Sequence, residues 1–159
     1  MTLLKQRKGR GGSHLLLFAS SEMITAIQKK ITAMKHENEG RDPLTAKIIK
    51  ACYQVHSKLG PGLAERIYVN ALKIELTNLG LQYVTEKEFV VKYQNHNVGK
   101  FRVDLLVEDK VIVEIKAVEG KMPKIFETQV ISYLKASGLN VGLLINLGNR
   151  SCEVRRLII

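Results

Sequence analysis

The chain has no tryptophan, three prolines and two cysteines in 159 residues. With aromatic side chains at only 6%, any core must be mostly aliphatic. Cys52 and Cys152 lie far apart, with no CxxC pair and no Cys/His cluster. That pattern argues against a zinc site and fits a reduced, cytoplasmic protein. No window approaches the length of a membrane span, and the apolar run from Leu15 to Ala19 is too short for a signal-peptide core. No membrane partner is expected. A Walker loop, a dinucleotide fingerprint and a Ser/His/Asp arrangement are all missing, which leaves the common nucleotide-binding and acyl-transfer classes without support.

Hydrophobic residues make up 45% of the chain, and its length suits one ordinary domain with its own core. Lys and Arg number 25 against 15 Asp and Glu, a formal net charge of +10. An excess of that size favours a polyanionic partner, with nucleic acid first. Seven of the basic residues and three of the acidic ones fall in residues 1–40, read as a basic N-terminal extension. Within it Met23, Ile24, Ile27, Ile31 and Met34 share one helical arc, consistent with a short amphipathic helix or a frayed arm. Met34 would also serve as a natural start, so a role for residues 1–38 stays open.

The compact domain is expected over 41–159. Asp42-Pro43 forms an N-cap with Pro at the first helical position, and Leu44, Ile48, Cys52, Val55 and Leu59 share a face before Gly60-Pro61 stops the helix. A second helix is expected over 63–79, with Leu63, Ile67, Ala71, Ile74 and Leu79 inward. The period then becomes alternating: strands are expected around 89–93, 98–107 and 111–118, with turns at 94–97 and 108–110. A helix over 123–137, a doubly buried strand over 139–147 and a last strand over 152–158 complete the order. This is an α/β layout with a mixed sheet flanked by helices.

Glu114 and Lys116 project from one face of their strand. A turn centred on Asp109 places Asp104 directly opposite Glu114, with Cβ atoms roughly 4.5–5.5 Å apart. Two carboxylates so close need compensation from Arg102, from Lys116 or from a divalent cation. A register slip of one residue would abolish the pairing. Two carboxylates beside a lysine suit Mg²⁺-assisted phosphodiester hydrolysis, because Mg²⁺ commonly takes one or two carboxylates plus substrate phosphate. The alternative is a surface salt bridge among Asp104, Glu114, Lys116 and Arg102.

The segment Gly62-Leu63-Ala64-Glu65-Arg66-Ile67-Tyr68, preceded by Leu59-Gly60-Pro61, reproduces the pattern that names the GxxExxY proteins. Together with Arg102-Val103-Asp104 and Val113-Glu114-Ile115-Lys116, it makes residues 42–159 resemble that family of the PD-(D/E)xK nuclease superfamily. The resemblance implies a restriction-endonuclease-like α-β-β-β-α-β core. It also implies Asp104, Glu114 and Glu65 as metal-binding residues, Lys116 as the catalytic lysine, and Gln129, four residues before Tyr133, as a residue positioning the site. Mg²⁺, with Mn²⁺ as substitute, would be the cofactor. Val103 stands where a proline would complete the literal PD; that proline shapes backbone rather than chemistry.

The expected activity is a Mg²⁺-dependent nuclease acting on nucleic acid, DNA foremost. The alternative is a catalytically weak nucleic-acid-binding module that acts with a partner protein, and a homodimer is also open. Bland roles are expected for several neighbours: capping or packing for His56, half-buried spacers for Tyr68 and Tyr133, and a surface or peripheral charge for Glu119.

Overall fold

The computed structural model describes residues 42–159 and, in the leader, residues 21, 22, 25 and 26. Residues 1–41 and 42–159 form separate units. The apolar arc Met23, Ile24, Ile27, Ile31 and Met34 lies outside the described residues.

Helix α1 spans Pro43–Leu59. Its start follows the expected cap: Asp42 accepts a hydrogen bond from the Leu44 amide at 3.4 Å, and Pro occupies the first turn. It ends where the Gly60 amide donates to the His56 carbonyl at 2.8 Å. Helix α2 spans Glu65–Asn78, two residues later than expected, and its inward face is also different. Tyr68, Leu72 and Leu76 are buried, whereas Leu63, Ile67, Ile74 and Leu79 are exposed, Ile74 to 64%. Both sets have helical spacing. The winning arc carries the Tyr68 ring, which removes more apolar area from water than an isoleucine and finds hydrogen bonds for its hydroxyl.

Five strands follow: β1 Tyr83–Tyr93, β2 His96–Val107, β3 Val111–Lys116, β4 Val141–Asn146 and β5 Glu153–Ile158, with helix α3, Lys124–Ser137, between β3 and β4. The sheet order is β1-β2-β3-β4-β5. All neighbours are antiparallel except β3 and β4, which are parallel and joined through α3. The expected α-β-β-β-α-β order is therefore present as α2-β1-β2-β3-α3-β4, with α1 before it and β5 after. No described helix is long and apolar enough to cross a membrane.

The sheet separates two apolar layers. On one face Leu105, Val107, Val111, Val113, Ile115, Leu143 and Ile145 pack with α1 and α2. On the other, Leu106, Ile112 and Leu144 pack with Val130 and Leu134 of α3. Strict alternation would send Val103 to the first layer with Leu105, yet it lies in the second. In β1, likewise, Tyr83 packs with the first layer and Phe89 with the second. The change of face falls at Asp104 in β2 and at Glu86 in β1, where φ is +50°. A left-handed residue inside a strand bends the ribbon. Here the bend lies at the first candidate site residue.

Candidate active site

The β2–β3 turn has the expected register. Leu105 pairs with Val113, Leu106 with Ile112 and Val107 with Val111, so Asp104 falls opposite Glu114. The ladder itself stops one step short, and the two carboxylates replace it. The Ile115 amide donates to Asp104 Oδ2 at 2.8 Å, and the Asp104 amide donates to Glu114 Oε1 at 3.2 Å. Each acidic side chain thus satisfies a backbone donor that the parting strands would otherwise strand in the interior. Both carboxylates are fixed in place, while Asp104 Oδ1 and Glu114 Oε2 remain for other partners.

Their electrostatics are unfavourable in isolation. Glu114 is only 4% exposed. Burial first, and the neighbouring Asp104 second, push its carboxyl up to about 8. Asp104 is also raised, chiefly by burial, while the Ile115 amide and Lys116 pull it back. Lys116 is the cation that opposes them, with Nζ 3.8 Å from Glu114 Oε2. The same ammonium lies 4.8 Å from the centre of the Phe126 ring, which holds it by a cation–π contact. Arg102, the other expected compensator, instead pairs with Glu88 at 3.1 Å and Glu86 at 3.7 Å. The four-residue surface salt bridge does not form.

Glu65 opens α2 and lines a cleft of about 420 Å³ together with Glu86 and Asp104. Its charge raises both Asp104 and Glu114. It is exposed, and among the described residues no three His, Cys, Asp or Glu side chains gather closely enough to hold a metal ion by themselves. The close donor set is thus Asp104 with Glu114, and Glu65 stands on the wall of the same cleft. Two adjoining carboxyl groups whose ionisation is held back by burial and by each other fit a hard divalent cation, which would take the place of the retained proton and keep most of its waters. Gln129 lies on α3 and hydrogen-bonds the Tyr133 side chain, whose hydroxyl is raised by burial and then by Glu114. Tyr133 stacks on Phe101 at 4.3 Å, and Phe101 stacks on Phe89 at 5.2 Å. Gln129 is therefore linked to the carboxylates through this tyrosine.

The GxxExxY segment has a local physical basis. The Tyr68 hydroxyl donates to the Gly60 carbonyl at 2.7 Å and accepts from the Leu63 amide at 3.2 Å. Tyr68 is fully buried rather than half-buried. Gly62 sits at φ +97°, a conformation that L side chains rarely adopt. Tyrosine and glycine together shape the turn that delivers Glu65 at the start of α2. His56 is structural as expected: Nε2 lies 2.8 Å from the Asn149 carbonyl.

Sequence reasoning missed the clamp behind the lysine. Buried Asn146, paired with Lys116 across β3 and β4, accepts from the amides of Val118 (3.0 Å) and Gly148 (3.1 Å) and donates to the Val118 carbonyl at 2.9 Å. Asn149 binds both backbone groups of Gly120 at 2.8 Å. A Cβ on Gly148 would lie 2.5 Å from the Val118 backbone, so only glycine allows this approach. The sole signal was a polar residue ending an apolar strand. Glu119 rides on the clamped loop, exposed to solvent.

The sequence model of the PD-(D/E)XK nuclease superfamily matches residues 42–157, and the chain belongs to that superfamily. The match spans nearly all of the unit that holds the sheet and both candidate carboxylates. No curated protein and no solved structure matches the chain.

Proposed function

We propose that this protein is a Mg²⁺-dependent nuclease that hydrolyses phosphodiester bonds of DNA, with Mn²⁺ able to substitute. One observation carries the reading. Where the β2–β3 ladder opens, Asp104 and Glu114 are locked by backbone amides beside Lys116, and without a further cation Glu114 holds its proton up to about pH 8. A structural ion pair would not need a buried carboxylate and a half-buried one for a single lysine.

Asp104 and Glu114 would hold the cation, with Glu65 on the cleft wall beside them. Bound there, the cation would polarise the phosphate and acidify a water. Lys116, held by Glu114 and the Phe126 ring, orients the attacking water and offsets charge that develops on the phosphate oxygens. Gln129 acts through Tyr133 to keep the α3 side of the site in place. The two free thiols suit a reducing compartment, and we place the activity in the cytoplasm.

The test is cleavage of linear, nicked and single-stranded DNA by the purified chain with Mg²⁺ or Mn²⁺. Lys116→Ala should lower turnover at least ~100-fold, the usual scale for one group that stabilises the transition state, with an unchanged circular dichroism spectrum. Undiminished cleavage by Lys116→Ala would overturn the mechanism. Salt-sensitive DNA binding without product under either metal would identify the binding module instead.

A further inference from the structure

The cleft beside Asp104 is acidic at one end only. Arg66, Asn70 and Lys73 line it farther along α2, with Val69 at its base and Thr85 on the facing strand β1. Residues 66, 70 and 73 follow i, i+4, i+7 spacing and so form one stripe down a single helical face. Arg66 and Asn70 are exposed and Lys73 is half-buried. Neither Arg66 nor Lys73 forms an ion pair with any described residue, although Glu65, Glu86 and Asp104 line the same cleft. Several other lysines of this unit, such as Lys47, Lys50 and Lys87, also form no ion pair, so it is their place in the cleft that sets Arg66 and Lys73 apart. Two unpaired cations, an amide and a hydroxyl in a concave surface form a donor set for phosphate oxygens.

We infer that the Arg66–Asn70–Lys73 stripe of α2 and Thr85 of β1 form a track for the backbone of one nucleic-acid strand, which leads the scissile phosphate to Asp104. The inference rests on the nuclease reading of the Asp104 site and adds the path of the substrate. From Glu65 to Lys73 the helix rises ~12 Å. That length spans a short run of consecutive phosphates of one strand. The acidic end and the basic stripe have separate tasks: the first concentrates a divalent cation, and the second holds the phosphates that flank it.

The experiment measures binding without turnover. Fluorescence anisotropy of a labelled 12-nucleotide single-stranded DNA is followed on the full-length chain with Ca²⁺ in place of Mg²⁺, across a series of salt concentrations. Arg66→Gln and Lys73→Gln should each weaken binding about three- to tenfold. The double variant should reduce the slope of log affinity against log salt by about 1.4, since each lost contact to a single strand removes about 0.7. Lys110→Gln, in the β2–β3 turn away from the cleft, should bind within about twofold of wild type. An RNA of the same sequence should show the same losses, because the contacts are to phosphate. Wild-type binding by the double variant, an equal loss in Lys110→Gln, or a loss confined to one sugar type would each overturn the track. Failure here leaves the cleavage result with Lys116→Ala untouched, and a chain that binds along the track but never cuts would sink the nuclease reading alone.

Discussion

Glu114 concentrates the conflict in this molecule into one side chain. Its carboxyl ordinarily titrates at 4.5 but is pushed up to about 8 by burial and by Asp104. Below about 4.5 the group is protonated in the folded and unfolded chain alike. Between that pH and about 8 the folded chain keeps a proton that the unfolded chain has released, so the stability of the metal-free protein falls as pH rises through this window. Asp104 is shifted in the same direction and adds to the fall. Urea denaturation in chelator should give a lower midpoint at pH 8 than at pH 5, and Glu114→Gln should flatten most of that difference. Equal midpoints for the wild type would contradict the burial argument. For the proposed Mg²⁺-dependent cleavage the expected dependence is the reverse: activity should climb toward pH 8, because the cation would have to displace the proton. At this scale the residue types were legible from sequence: Asp104, Glu114 and Lys116 follow from alternation and one turn. Phe126 and Asn146 were not, since neither lies near the lysine along the chain.

At the scale of elements, the β2–β3 turn transmits the most information. Glu108 and Asp109 adopt φ of +52°, and the Lys110 amide donates to the Val107 carbonyl at 3.0 Å. A turn this tight leaves one register available, which is why the position of Asp104 opposite Glu114 could be read from the sequence. The opening of the ladder at that point could not, because it depends on the bend at Glu86 in a different strand. The buried face of α2 was misread for a related reason. Ile67 and Ile74 share helical spacing as good as that of Tyr68, Leu72 and Leu76, and periodicity alone cannot rank two apolar arcs. The Tyr68 hydroxyl gives a direct check. Tyr68→Phe leaves the Gly60 carbonyl and Leu63 amide without this partner, at a cost of about 1–3 kcal/mol. Urea unfolding should register that loss. Cleavage should fall as well, since the turn delivers Glu65; a variant as stable as wild type would show that the two bonds contribute nothing net.

Across the whole molecule, both apolar layers are built from residues 42–159. Residues 1–41, with eight of the 25 basic residues, add charge. Residues 1–41 and 42–159 form separate units, so a chain that begins at Asp42 should melt within ~2 °C of the full-length protein; a drop beyond ~5 °C, on the order of 1 kcal/mol for a domain this size, would contradict that independence. Composition, periodicity and turn chemistry were sufficient for the element order, the strand register and the acidic pair, because each is set by neighbours close along the chain. Contacts between distant segments decided the rest. They selected which arc of α2 faces inward, turned Arg102 away toward Glu86 and Glu88, and set Phe126 under the lysine. They also parted β2 from β3 so that Asp104 and Glu114 fill the gap. Side-chain spacing repeats within each element, but only packing against another element ranks the faces it offers, and the candidate site lies where several such choices meet.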